Sequence, residues 1–206
     1  MFNERRSHWQ QVYREKEPTE VSWYQPVPEK SLLLIRSTGI PRDDAILDAG
    51  GGVSTLVDCL LDEGYTDLSV LDISGRALER SRARLGESAG KVEWIESDVT
   101  EFDPDRRYSL WHDRAVFHFL TNIADRDKYL DVMRRALQPG GYLVLATFGP
   151  QGPRRCSGLD IKRYGLEALQ GLLGADFELC RHALDEHATP TGSTQQFLYS
   201  SWQATG

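Results

Sequence analysis

Apolar positions along the chain recur with two periods. Short apolar and β-branched runs at 45–50 (AILDAG), 67–73 (DLSVLDI), 91–96 (KVEWIE), 108–112 (YSLWH) and 141–148 (GYLVLATF) each predict a strand. Between them the spacing becomes helical. Residues 54–64 place Leu56, Cys59, Leu60 and Glu63 on one stripe ahead of Gly64, and residues 74–86 run from a capping Ser74 to Gly86. Residues 125–141 carry Tyr129, Leu130, Met133 and Leu137 on a third stripe until Pro139-Gly140-Gly141 stops it. Strands alternating with helices predict an α/β fold, a Rossmann-like, doubly wound, mostly parallel sheet. Beyond residue 160 the pattern adds a helix at 164–174 and two strands, 177–184 and 195–203, close enough to form a C-terminal antiparallel strand pair.

Composition narrows the picture. A chain of 206 residues, 40% of them apolar, is expected to form a single domain over 1–206. Its net charge of -7 argues against phosphate backbones and anionic lipid, so neither a nucleic acid nor a membrane is an expected partner. No apolar run approaches the roughly 20 residues that span a bilayer, and MFNERRSHWQ lacks the apolar core of a secretory signal. A cytoplasmic location is expected. Cys59, Cys156 and Cys180 are too scattered for a disulfide framework or a zinc site, and no metal is expected.

The stretch LDAGGGVS (47–54) falls at the turn from the first strand of the sheet into the next helix. There, bare glycines let a ligand approach the backbone and free N–H groups at the helix start. Asp72, at the end of the second strand, suits two ribose hydroxyls. Two ribose ligands compete. A nicotinamide dinucleotide wants a small residue where this chain has Thr55, and its pyrophosphate would be repelled by Asp48. S-adenosylmethionine carries a sulfonium and an ammonium, which a carboxylate attracts. Asp98 in ESDVT (96–100) could accept from an adenine amino group, and would serve equally as a cap or turn residue.

These motifs, ILDAGGGVS, VLDIS, ESDVT and LQPGGYLVLATF, resemble those of the class I, seven-strand S-adenosylmethionine-dependent methyltransferases over residues 30–202. The resemblance implies that Gly50, Gly51 and Gly52 face the methionine part and ribose. It sets Asp72 against the ribose hydroxyls, Ile73 against the adenine face, and Asp98 with Val99 at the adenine edge. A narrower resemblance covers HWQQVYREKEPTEVSWYQPVPEKSLLLI (8–35), which is similar to the N-terminal segment of seven-strand lysine methyltransferases, with Trp23-Tyr24 ahead of a helix. Where those enzymes tend to carry Asp-Lys-Gly-Thr, this chain has Asp113-Arg114-Ala115-Val116 and keeps only the Asp. The expected acceptor is a small molecule, with a protein lysine as the alternative. A non-catalytic binding module and an NAD-linked reductase are further readings.

The acceptor side offers candidates of its own. Trp9, Val12 and Tyr13 share a helical face, and Trp23-Tyr24 precede Pro26 and Pro28, so residues 1–28 are expected to form a lid over a core spanning 29–206. Aromatic packing on the sheet edge would produce the same pattern. Asp113 is the expected catalytic residue, binding the cofactor's ammonium or orienting the acceptor. His112 and His118 could act as bases, although a histidine between Phe117 and Phe119 can simply fill an aromatic cluster. Arg154-Arg155 could meet an anionic acceptor or remain solvated, and Cys156 reads as a packed thiol.

Overall fold

The computed structural model describes residues 2–205; Met1 and Gly206, the ends of the expected single domain, lie outside the described residues. Two helices precede the sheet. The first, α1 (Phe2–Glu15), carries Tyr13 inward at 5% exposure, with Trp9 and Val12 half-buried. The second, α2 (Glu29–Thr38), starts behind Pro28 and stops at Gly39, whose φ of 71° is open to glycine at little cost.

From there strand and helix alternate as β1 (Ile46–Ala49), α3 (Leu56–Asp62), β2 (Leu68–Asp72), α4 (Gly75–Leu85), β3 (Val92–Glu96) and β4 (Tyr108–Arg114). The second half holds α5 (Ile123–Ala136), β5 (Leu137–Phe148), a two-stranded hairpin β6 (Arg155–Cys156) and β7 (Leu159–Asp160), α6 (Leu166–Leu173), β8 (Phe177–Ala188) and β9 (Thr194–Ala204). The expected caps form where the sequence puts them. The Ser74 side chain accepts from Ala77 N–H, and Gly64 and Gly86 end their helices at positive φ.

One boundary moves. The stripe at 125–141 predicts a helix continuing to the Pro-Gly-Gly stop, yet α5 ends at Ala136 and Leu137 already pairs with Tyr108 of β4. Pro139 disfavours helical backbone at the residue before it, and Leu137 gains a buried strand position at 3% exposure. The 155–160 hairpin is also absent from the sequence pattern, because its four strand residues are too few to show a period.

The seven-stranded sheet runs β3-β2-β1-β4-β5-β9-β8, with β3 to β5 parallel and the last two strands antiparallel. This is the expected fold class. One apolar layer lies between the sheet and α5 with α6, built on Trp111, Tyr129, Met133 and Leu169; the other lies under α2 and α3, built on Ile35, Leu56, Leu110 and Phe197. Chain order reverses between β1 and β4. In open sheets of this kind the crevice at the carboxyl ends of such a strand pair is where a ligand binds.

Candidate active site

A cavity of about 990 Å³, counting its mouth, opens at that reversal point. Its floor is the turn after β1. Gly50 N–H and Gly51 N–H both donate to Leu71 O, at 2.6 and 3.2 Å, folding the turn back onto β2. No side chain fits on it. A Cβ on Gly50, where φ is 73°, would lie 1.9 Å from Val116 Cγ2, and one on Gly51 would lie 2.4 Å from Asp48 Oδ2. Gly52 sits one step behind the wall, at a φ of 44°, and a Cβ there would approach Asp72 Oδ2 to 2.7 Å. The sequence needs glycine here because Val116 at Gly50, and strand-end carboxylates at Gly51 and Gly52, occupy the space a side chain would take.

Three carboxylates, Asp48, Asp72 and Asp98, line the cavity from the ends of β1, β2 and β3. Asp48 Oδ1 accepts from His112 Nδ1 at 2.7 Å, and His112 Nε2 lies 2.8 Å from Ser31 Oγ. An ionised carboxylate can only accept, so in the neutral ring Nδ1 holds the proton and Ser31 donates to Nε2. Asp48 Oδ2, by contrast, is buried without a partner. Asp72 Oδ1 accepts from Ser74 N–H at 2.8 Å. Burial, reinforced by the nearby Asp48 and Glu96 charges and opposed by that hydrogen bond, pushes its carboxyl up to about 7. Asp98 takes the turn role that is its alternative reading, Oδ1 accepting from Thr100 N–H and Oγ1, while Oδ2 pairs with Arg5 of α1 at 3.1 Å. Ile73 and Val99 line the same side.

The opposite wall is aromatic. Trp9 makes edge-on contacts with Trp23 and Phe119, at centroid distances of 5.8 and 5.0 Å, and Phe148 and Phe197 close the far side. Helix α1 lies across the mouth, tied by Arg5 to Asp98 and Asp125 and by Arg6 to Glu96. The rest of the expected lid is stitched into the body: Ser22 O accepts from His187 Nε2, Trp23 O from Arg114 and Gln25 O from Thr55 Oγ1. Val21 is 1% exposed. Within 1–28, the geometry of a cover therefore belongs to α1, while 21–25 is anchored to the body by Val21 and by these carbonyls.

Two expected site residues stand elsewhere. Asp113 is fully buried and off the cavity wall; its carboxylate accepts from Val116 N–H, Phe117 N–H and Tyr129 Oη. Burial raises it to about 6 against the pull of those donors. The correction follows from strand alternation: with His112 and Arg114 on the cavity side, the residue between them faces the other layer. Tyr24 lines only a small recess behind the glycine turn, whereas Trp23 lines both that recess and the cavity. His118 stacks on Phe148 at 4.4 Å, and burial lowers it to about 3, so it is a neutral member of the aromatic cluster. Arg154 and Arg155 are exposed, and neither lines the cavity. The cation that does line that side is Arg114, adjacent to the expected Asp113. Among the described residues, no group of His, Cys, Asp and Glu is placed to hold a metal, and no helix is long and apolar enough to cross a membrane.

Comparison with known proteins agrees with this geometry. Residues 46–141 match the family model described as a methyltransferase domain. The Bradyrhizobium japonicum N-methyltransferase NodS, solved in complex with S-adenosyl-L-homocysteine, superposes with a TM-score of 0.75 at 18% identity, covering 96% of this chain and 98% of that one. The fold is that of the class I, Rossmann-like methyltransferases, and the matched segment is similar to a methyltransferase domain. Two curated relatives are similar to parts of this chain. The mouse eEF1A lysine and N-terminal methyltransferase is 24% identical over 147 residues, 68% of this chain and 21% of its own length. The ubiquinone/menaquinone biosynthesis C-methyltransferase UbiE of Vibrio parahaemolyticus is 29% identical over 119 residues, 55% of this chain and 45% of its own length. The chain thus spans less than half the length of either relative.

Proposed function

We propose that the chain transfers the methyl group of S-adenosylmethionine to a small-molecule acceptor. The observation that carries this reading is Asp48 Oδ2, a buried carboxylate oxygen with no partner, set against backbone too crowded for any Cβ. An orphaned anionic oxygen attracts an ammonium or sulfonium and repels a pyrophosphate, which favours this cofactor over a dinucleotide. Asp72 beside Gly52 fits a pair of ribose hydroxyls, and the edge of Asp98 and Val99 fits adenine.

When bound, the cofactor supplies an electrophilic methyl group on sulfur. The protein's own contribution is positional. His112 and Ser31 hold Asp48 in one orientation, the glycine turn permits close approach, and Trp9, Trp23 and Phe119 exclude water from the mouth. Asp113 acts one layer deeper, fixing the turn at Val116 and Phe117 that shapes the acceptor wall. A small acceptor suits a cavity covered by α1 and walled by aromatic rings. Protein-lysine methylation is the second reading, favoured by the 147-residue match to the mouse lysine methyltransferase. A cytoplasmic setting belongs to the same proposal, supported by the free thiols.

Calorimetry with S-adenosylhomocysteine and with NAD tests the cofactor assignment. Binding of the first and not the second is expected; the reverse overturns the reading. Release of S-adenosylhomocysteine on incubation with low-molecular-weight or protein fractions of a cell extract then separates the two acceptor classes.

A further inference from the structure

Two guanidinium groups line the cavity, and they are in opposite states. Arg5 is spent on Asp98 and Asp125. Arg114, at the end of β4, forms no ion pair within 4 Å among the described residues. Its Nε donates to Tyr199 Oη at 3.0 Å and its Nη1 to Trp23 O at 2.8 Å, and its plane lies 5.0 Å from the centre of the Phe197 ring. These contacts fix the orientation of the fork without neutralising it. The remaining nitrogen, Nη2, is buried and has no partner.

A full charge held rigid by neutral acceptors, with one buried donor nitrogen left over beside aromatic rings, is the arrangement that receives an oxyanion. The carboxylates of the cavity are already engaged or assigned. Asp98 is taken by Arg5, and Asp48 is held by His112 on β4. No protein group reaches Nη2.

Resting on the methyl-transfer reading, we propose that Arg114 is the oxyanion receptor of the cavity and binds a carboxylate through Nη2. Two ligands of that reading can supply the carboxylate: the amino-acid end of the cofactor, lying over the turn after β1, or an aromatic acid acting as acceptor between the rings. The chemistry required of Arg114 is the same for both. Its tie to Trp23 O gives the site a second consequence, since an oxyanion on Nη2 settles the guanidinium that holds the segment following α1.

Titration of the full chain and of Arg114→Gln distinguishes the sources. The probes are S-adenosylhomocysteine against its α-carboxamide, and benzoate against benzamide on protein saturated with S-adenosylhomocysteine. Wild-type protein is expected to prefer the carboxylate at least about tenfold in one of the two pairs, the free-energy equivalent of one charge-assisted hydrogen bond. Arg114→Gln is expected to abolish that preference while leaving the neutral probe's affinity unchanged. Loss in the first pair assigns the carboxylate to the cofactor; loss in the second assigns it to the acceptor. Arg114→Lys, which keeps the charge but not the fork, covers a failure of the glutamine variant to fold, and is expected to lower the preference part of the way. Three results overturn the assignment: no carboxylate preference in either pair for the wild type, an unchanged preference in the variants, or an equal fall for carboxylate and neutral probes, which would make Arg114 a prop for Trp23 alone. If neither adenosyl probe binds wild-type protein, the methyl-transfer reading itself fails.

Discussion

The two walls of the cavity are built in opposite ways. The wall at β1, β2 and β3 is made of consecutive strand ends, each contributing one carboxylate within a few residues of a glycine or a turn. The facing wall draws Trp9 from α1, Trp23 from the following connector, Arg114 from β4, Phe148 from β5 and Phe197 from β9. The first wall is rigid because backbone hydrogen bonds and crowding define it. The second is held by ring contacts and by three hydrogen-bonded carbonyls of the 22–25 segment. A wall of the first kind admits little change; in the second, Trp9 and Trp23 lie outside the sheet and can be replaced without touching a strand.

The largest expected effect breaks the first wall. Gly51→Ala drives a Cβ into Asp48 Oδ2 and Val70 Cγ1, at 2.4 and 2.8 Å, neither of which can retreat from a buried sheet. Affinity for S-adenosylhomocysteine should fall roughly a hundredfold, about 2.8 kcal/mol, by calorimetry. Parent-like binding would mean that the ligand does not rest on this turn.

Asp72→Asn comes next and separates binding from stability. Losing a charged acceptor of two hydroxyls should weaken S-adenosylhomocysteine roughly ten- to a hundredfold. The folded carboxyl stands at about 7, above its ordinary 3.8, so the folded state holds this proton more tightly than the unfolded chain. Its contribution to stability is fully present below about pH 4 and is lost as pH rises through about 7. The ligand-free variant should therefore be more stable than the parent at pH 8, by about 1–3 kcal/mol, and lose that advantage towards pH 4. Denaturant melts at the two pH values measure the sign, and a variant less stable at pH 8 would refute it.

Trp9→Ala tests the second wall and is expected to do less. It removes edge-on contacts to Trp23 and Phe119 that are worth about 0.5–1.5 kcal/mol each beyond area burial. Release of S-adenosylhomocysteine, followed by stopped flow, should accelerate severalfold while the melting transition stays cooperative. An unchanged release rate would make α1 a packing element rather than a cover. Arg5→Ala is the mildest change: its side chain is 27% exposed and Asp98 keeps its bonds from Thr100, so affinity should shift by less than about fivefold. A larger loss would indicate that the Arg5–Asp98 pair organises the adenine edge.

The same contrast explains what could be read before the fold was known. LDAGGGVS, Asp72 and Asp98 were legible because each lies at the end of an apolar run, and the run fixes both the strand and the edge of the sheet at which it stops. The sequence points to Asp113 as a cavity residue, yet it faces the other layer, since the run 108–112 locates the element but not which of its faces meets the cavity. Arg154 and Arg155 stand out in sequence beside a glycine- and proline-rich stretch yet are exposed in space, whereas Arg114 has no such local signal and lines the cavity.

By itself, then, the sequence determined the parallel sheet, the glycine turn and the three strand-end carboxylates, because hydrophobic period, turn chemistry and strand ends are local properties. Tertiary structure alone decided that Asp113 supports a turn, that Asp48 keeps one free oxygen, and that Arg114 is left with an unpartnered donor. Each of those facts depends on partners far away in the chain: Tyr129 for Asp113, His112 and Ser31 for Asp48, and Trp23 and Tyr199 for Arg114. Whether a buried polar atom is satisfied is a sum over all its neighbours in space, and no window of sequence contains that sum.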